Sequence, residues 1–172
     1  MLLSVQQKYI VEALRKLGYV RREQLQALVQ GRFPEIDISD QRMDAMLRQL
    51  RNLCGDMRLD GGLAGLSDAQ SDHRRLEAVD VMLELAKGQL QDFSAAVTSP
   101  ELLRFALEGS CLRLFTVATL SNPLHSNTQA RAGPGRVVWI SDSGTAPPGL
   151  TLPPKHFFAA RQPDGSHRFY GS

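Results

Sequence analysis

The stretch SDQRMDAMLRQLRNLCGDMRLDGGLAGLS, from Ser39 to Ser67, decides how the N-terminal part of the chain is interpreted. Ser39 is a favoured helix N-cap, and an apolar stripe at helical spacing follows it: Met43, Met46, Leu47, Leu50, Leu53 and Cys54. After this helix, two short apolar runs flank Asp60-Gly61-Gly62, which supplies the positive-φ residues that a tight turn requires. The stretch therefore predicts an amphipathic helix followed by a β-hairpin.

Two further helices are predicted before this stretch. Ser4 and Gln7 form a capping-box pattern, and the helix that they begin is expected to end at Gly18. Two extended residues lead into a short second helix that ends near Gly31, and Pro34 breaks the chain before the third helix. The predicted order is helix, short strand, helix, helix and hairpin.

This order of elements, with LGYVRREQLQAL at the first junction, resembles the winged helix-turn-helix superfamily over about residues 1–68. The resemblance implies that the third helix, residues 39–54, enters the major groove of DNA. It also implies that the hairpin, with Arg58, contacts the DNA backbone. Winged helices serve as protein-binding modules too, so a protein partner or a homodimer remains the alternative.

The polar face of the third helix supplies the candidate base contacts. At about 100° per residue, Gln41, Ala45, Arg48 and Asn52 lie opposite the apolar stripe. Arg pairs well with guanine, and Asn or Gln with adenine, although an ordinary solvated face has the same polarity. Asp40 and Asp44 oppose DNA binding because they would face phosphates. The candidate residues for double-stranded DNA are Gln41, Arg42, Ala45, Arg48, Gln49, Arg51, Asn52 and Arg58, with Arg21 and Arg22 from the second helix.

A polar link, SDAQSD, separates this part from an expected α+β domain at residues 71–172. SDHRRLEAVDVMLELAKG predicts a fourth helix, capped by Ser71 or Asp72 and ended by Gly88. The helix is apolar over a broad arc, which is typical of a helix buried against a sheet. A helix that forms a dimer interface is the alternative.

The strands of this second domain follow from residue alternation and turn chemistry. Residues 100–108 alternate as in a half-buried strand, with a helix as the alternative because Pro100 suits a helix start. Residues 111–120 and 136–141 predict further strands, the latter central, and two more flank Pro163-Asp164-Gly165. Residues 121–135 are expected to form a mobile loop. The sequence predicts a helix and a small, mainly antiparallel sheet of roughly five strands.

No pattern for cofactor or metal binding is present. The chain lacks a phosphate-binding loop, a dinucleotide fingerprint and a nucleophile elbow. Cys54 and Cys111 lie in apolar patterns and are expected to be buried free thiols. His156 and His167 could face each other across the last hairpin, but a metal there would still need carboxylate ligands, and Asp164 lies in the turn itself. We expect no cofactor and no metal.

RRLEAVDVMLELA, SPELLRFALEGSCLRLFTVA and RVVWIS are similar to uncharacterised proteins of mobile elements that are related to replication-relaxation proteins. In that group the second domain resembles the restriction-endonuclease fold. A nuclease of that fold holds magnesium with an Asp and an Asp/Glu-x-Lys motif, and this chain contains no Asp/Glu-x-Lys. The resemblance thus implies a degenerate, catalytically inactive domain.

Composition and charge limit the remaining function classes. The 172 residues include 20 basic and 18 acidic side chains, a formal net charge of +2. Proteins that coat nucleic acid non-specifically are usually far more basic. Any DNA contacts of this chain must therefore come from a local basic patch. No signal peptide or membrane-spanning run is apparent, which predicts a cytoplasmic protein with no membrane contact.

Taken together, the sequence predicts a non-enzymatic DNA-binding protein with a role in transcription regulation or in the maintenance of a mobile genetic element. The alternative is a protein–protein interaction module whose winged helix does not bind DNA.

Overall fold

The computed structural model describes residues 2–120 and 135–171, and the chain divides into two compact units, Met1–Asp72 and His73–Ser172. Within the described residues it is a mixed α and β structure with four helices and two sheets. The N-terminal unit contains α1 (Val5–Leu17), β1 (Tyr19–Arg21), α2 (Arg22–Arg32), α3 (Asp40–Leu53), β2 (Met57–Asp60) and β3 (Leu63–Leu66). The C-terminal unit contains α4 (His73–Ala86), β4 (Leu90–Ala95), β5 (Glu101–Leu107), β6 (Arg113–Thr119), β7 (Arg136–Ile140), β8 (His156–Arg161) and β9 (His167–Gly171).

Local side-chain signals set the ends of α1 and α3. Ser4 and Gln7 form the predicted capping box, in which each side chain accepts the other residue's backbone N–H. Gly18, at a φ of 82°, ends α1 and donates its N–H to the carbonyl of Leu14. Ser39 caps α3 by accepting the N–H of Arg42. These contacts confirm the predicted helix boundaries.

The three strands of the N-terminal unit form an antiparallel sheet in the order β1-β3-β2. Gly61 and Gly62 make the turn between β2 and β3 at φ values of 53° and 79°, as the hairpin prediction requires. Gly65 pairs with Tyr19 across β1 and β3. A Cβ on Gly65 would lie 2.8 Å from the Cβ of Tyr19, so this close approach of the two strands needs glycine.

The core of the N-terminal unit includes part of the predicted apolar stripe. Met43 and Leu50 of α3 are fully buried, together with Ile10 of α1 and Leu25 of α2. Leu53, by contrast, is 48% exposed, because it is the last residue of α3 and extends past the core.

The prediction of two buried thiols is wrong, although both cysteines are free. Cys54 is only partly buried, because it is the extended C-cap residue of α3. Cys111 is exposed, because it lies in the turn before β6 begins at Arg113. Both cysteines have apolar neighbours in the sequence, but each lies just outside a helix or strand, where the side chain is not fully buried.

The sheet of the C-terminal unit has six strands in the order β4-β5-β6-β7-β8-β9, with β7 in a central position as predicted. The pairings β6–β7 and β7–β8 are parallel and the other three are antiparallel, so the sheet is mixed. The sequence predicted a mainly antiparallel sheet because only the short hairpin connections were visible. Parallel neighbours require long connections, and long segments precede both β7 and β8. The predicted mobile loop, residues 121–135, lies outside the described residues except for its last position.

The structure decides between strand and helix for β5 and adds the strand β4. Residues 100–108 contain β5, which confirms the predicted strand and rules out the alternative helix. The edge strand β4 was not predicted, because three of its six residues are polar and Phe93 is its one buried residue.

Both faces of the C-terminal sheet are covered in part. On one face α4 packs against β5 and β6 and buries Val79 and Met82, as predicted for a sheet-packed helix. The opposite face carries a cluster that includes Trp139 and Phe158, and Leu150 packs against this cluster from the segment before β8.

Alanine substitutions in the apolar stripe of α3 should lower stability more at buried positions than at exposed ones. We expect Leu50→Ala to lower the free energy of unfolding by about 2–5 kcal/mol, because the fully buried side chain leaves a cavity. The matched control Leu53→Ala, at an exposed position, should change it by less than about 0.5 kcal/mol. Denaturant unfolding of the full chain measures both. Equal losses would contradict the described packing of α3.

Candidate nucleic-acid interface

The helix α3 and the β2–β3 hairpin border a cleft of about 400 Å³, here called the α3–hairpin cleft. Apolar side chains line part of the cleft: Leu47, Leu59, Leu63 and Ala64. Charged side chains of both signs line the rest: Arg22, Asp44, Arg48 and Asp60. The cleft therefore combines apolar surface with a mixed, nearly neutral set of charges.

Beside the cleft, α3 presents a solvent-facing ridge, here called the α3 ridge, made of Gln41, Ala45, Arg48 and Asn52. Three of these side chains are exposed, and Ala45 is half-buried. The Nε of Arg48 donates to the backbone carbonyl of Asp44 at 3.3 Å, which orients the guanidinium along the helix. This surface offers amide and guanidinium groups of the kind that read base edges.

Three guanidinium groups accompany the ridge without being held by the protein. Arg42 and Arg51 of α3 and Arg58 of β2 are exposed. Their side chains have no hydrogen-bond or ion-pair partner among residues 2–120 and 135–171. Their charges are available to a partner.

The N-terminal unit as a whole is neutral, since residues 1–72 contain ten Lys or Arg and ten Asp or Glu side chains.

Arg22, a predicted DNA contact, is instead committed to contacts inside the N-terminal unit. Its side chain is 23% exposed, and its Nε lies 2.6 Å from Oδ1 of Asp44. Its Nη2 donates to the carbonyl of Asp40 at 3.0 Å, and its Nη1 to Oε1 of Gln26 at 3.1 Å. The hydrogen bond to Asp44 raises the pKa of Arg22 above its already high ordinary value, so the group stays charged.

Gln49 and Arg21 also differ from the other predicted contacts. The Oε1 of Gln49 accepts a hydrogen bond of 2.8 Å from Gln7, a buried residue of α1. Gln49 thus belongs to the contact between α1 and α3. Arg21 is half-buried as the last residue of β1, directly before α2, and its backbone N–H donates to the side chain of Gln24. Helical periodicity places Gln49 on the margin of the polar face, but it cannot reveal a partner on another helix.

A partly buried ionic cluster in the C-terminal unit was not predicted. The ring of His167 lies between two carboxylates of α4, with Nδ1 at 2.8 Å from Glu84 and Nε2 at 3.1 Å from Glu77. Arg161 also reaches Glu77, at 3.1 Å. The glutamates are seven residues apart on one helix, and this spacing is the only trace of the cluster in the sequence.

The two histidines of the last hairpin do not face each other, contrary to one interpretation of the sequence. The register pairs His167 with Arg161, at the opposite end of β8 from His156. The Nδ1 of His156 accepts a hydrogen bond from Nε1 of Trp139 at 3.0 Å. Burial lowers the pKa of His156, so its ring serves as a neutral acceptor.

Across the part of the chain that the structure describes, no three His, Cys, Asp or Glu side chains are arranged to hold a metal ion. In the same residues, no helix combines the length and apolar character needed to cross a bilayer.

The His167 cluster predicts a pH-dependent stability. Burial lowers the pKa of His167, but the hydrogen bonds and charges of Glu77 and Glu84 outweigh it and raise the pKa above 6.5. A raised folded-state pKa means that the stabilisation is complete below pH 6.5 and is lost as the pH rises through the folded pKa. A neutral imidazole carries one N–H, so it can donate to one carboxylate only. Denaturant unfolding between pH 6 and pH 9 should show this loss.

The variant His167→Gln provides the control, because glutamine does not titrate. Its stability should lack the decline that the unmodified chain shows in this range. An identical pH dependence in both proteins, or an NMR titration that puts the pKa of His167 below 6.5, would contradict the described cluster.

Comparisons with known proteins assign no family. No family model and no curated protein matches the chain. Among solved structures, protein VC1899 from Vibrio cholerae aligns at 12% sequence identity and a TM-score of 0.22. The alignment covers 82% of this chain and 48% of that protein, so the chain spans about half the length of its neighbour. A similarity at this level supports no statement about fold or function.

Proposed function

We propose that the N-terminal unit is a winged helix-turn-helix that binds double-stranded DNA, with α3 in the major groove and the β2–β3 hairpin on the backbone. The element order α1-β1-α2-α3-β2-β3, and a sheet in the order β1-β3-β2, are those expected of this motif. The observation that carries the proposal is the exposed α3 ridge, accompanied by the guanidinium groups of Arg42, Arg51 and Arg58.

The chemistry of the ridge suits base recognition. Arg48 can donate to both acceptors of a guanine, and Gln41 and Asn52 have the donor and acceptor pair that matches adenine. Ala45 is small enough to let α3 approach the base pairs and contact a thymine methyl group. Arg42, Arg51 and Arg58 would bind phosphates. Because the unit is neutral overall, affinity must come from this local arrangement and not from a general positive field.

A protein-interaction module is the second candidate, and the α3–hairpin cleft favours it. Leu47, Leu59 and Leu63 offer an apolar surface with charges of both signs around it, which is typical of a protein contact. In that case a second copy of the chain or another protein would occupy the cleft. The ridge would then be an ordinary solvated helix face.

For the whole chain, we propose a cytoplasmic, non-enzymatic role in the regulation or maintenance of a mobile genetic element. The sequence resemblance described above supports this role. The C-terminal unit would act as a scaffold or an interaction surface, since the chain lacks the Asp/Glu-x-Lys motif of magnesium-dependent nucleases.

Salt dependence distinguishes the two candidate functions. Three phosphate contacts, by Arg42, Arg51 and Arg58, should give a log–log slope of affinity against salt of about −2.7, at about −0.9 per contact. Arg51→Ala should reduce the slope by about 0.9, whereas Arg15→Ala, which removes an exposed charge from α1, should leave it unchanged. Band shifts with duplexes selected from a random pool supply the measurement. Sequence-indifferent binding that vanishes at physiological salt would favour the protein-interaction module.

Base recognition by the ridge is tested separately. Arg48→Ala should weaken binding to a selected duplex by about 1–3 kcal/mol and relax the preference at one base position. Because Arg48 is exposed, its removal should leave the unfolding midpoint nearly unchanged. Unaltered affinity and base preference in this variant would exclude Arg48 from the interface.

The non-enzymatic proposal predicts that purified protein with magnesium or manganese leaves plasmid DNA intact. Nicking that persists through repurification and disappears in Asp142→Ala or Asp164→Ala would overturn it.

A further inference from the structure

Arg22 connects the three parts of the proposed DNA-binding surface. Its guanidinium contacts Asp40 and Asp44 of α3 and Gln26 of α2. Its backbone N–H donates to the carbonyl of Gly62, in the turn of the β2–β3 hairpin, at 2.8 Å. One residue thereby ties the first turn of α3, the start of α2 and the hairpin to each other.

The two carboxylates that Arg22 contacts create an electrostatic conflict at the start of α3. Asp40 lies in the first turn of α3, where negative charge interacts favourably with the helix dipole, and Asp44 follows one turn later. Their side chains are 80% and 50% exposed, so they also present negative charge to any ligand at this end. In the proposed complex that ligand is a polyanion, and close like charges weaken binding.

The pairing with Arg22 reduces this conflict. Its Nε lies 2.6 Å from Oδ1 of Asp44, and its Nη2 lies 3.5 Å from Oδ1 of Asp40. The three side chains together carry one negative charge where the two aspartates alone would carry two. The planar guanidinium reaches both aspartates and Gln26 at once, which the single ammonium of lysine cannot do in the same geometry.

We infer that Arg22 is a positioning residue for DNA binding: it neutralises one of the two carboxylates at the start of α3 and fixes α3 against the hairpin, so that both can contact one duplex. This inference rests on the proposed function. It assigns Arg22 a role that differs from a phosphate contact, because its donors are directed at protein acceptors and its side chain is only 23% exposed.

The test compares four proteins in duplex binding over a range of salt concentrations. They are the unmodified chain, Arg22→Met, the charge-matched control Arg15→Met, and the triple variant Arg22→Met/Asp40→Asn/Asp44→Asn. Arg22→Met should bind about tenfold more weakly at low salt, because two uncompensated carboxylates then face the DNA. This loss should shrink as the salt concentration rises, because salt screens the repulsion between exposed carboxylates and phosphates.

The triple variant should recover most of the lost affinity, because it removes the carboxylates together with their partner. Arg15→Met should bind like the unmodified chain. Affinity that stays as low in the triple variant as in Arg22→Met would make Arg22 a phosphate ligand and overturn the inference. Unchanged affinity in Arg22→Met would overturn it as well.

Hydrogen exchange tests the positioning role without DNA. In Arg22→Met, the backbone amides of Met43 and Asp44 in the first turns of α3 should exchange about tenfold faster, because the contacts that hold this turn are gone. Unchanged exchange would contradict the positioning role. If the unmodified chain binds no duplex, the proposed function fails, and the exchange result still decides whether Arg22 holds α3 in place.

Discussion

The burial of one face of α3 is the constraint on which the N-terminal unit depends. Met43 and Leu50 are completely buried, and they fix the rotation of the helix about its axis. Because side chains advance by about 100° per residue, that rotation directs Gln41, Arg48 and Asn52 toward solvent. The same helix therefore supplies the core and the surface available for recognition. Any ligand of α3 contacts this solvent-facing side, where packing in the core does not constrain the choice of residues.

The N-terminal unit has no net charge. Ten basic and ten acidic side chains cancel over residues 1–72, so no general field draws the unit toward a polyanion. What differs between the charges is whether they are paired. Arg22 is held by Asp44, whereas Arg51 and Arg58 have no partner among the described residues. This separation of structural from available guanidinium groups is the electrostatic basis of the proposed interface.

Features encoded by neighbouring residues were predictable, and features that join distant residues were not. The capping box at Ser4 and the glycine turn of the hairpin are local, and both are present. The pairing of Arg22 with Asp44 and the enclosure of His167 by Glu84 join elements that only the tertiary fold brings together. The parallel neighbours of β7 were missed for the same reason, since a hairpin is visible in sequence and a long-range pairing is not. The prediction of burial was wrong where the apolar pattern continued to the end of the helix and beyond it.

The central claim is that the α3 ridge and the hairpin contact duplex DNA together, and side-chain NMR tests it most directly. Titration of the full chain with a selected duplex should perturb the Nε–H resonances of Arg48, Arg51 and Arg58 in parallel. The Nε–H resonance of Arg22 should persist, because this group stays bonded to Asp44. Perturbation of α3 without Arg58, or no perturbation of either at saturating duplex, would contradict the claim.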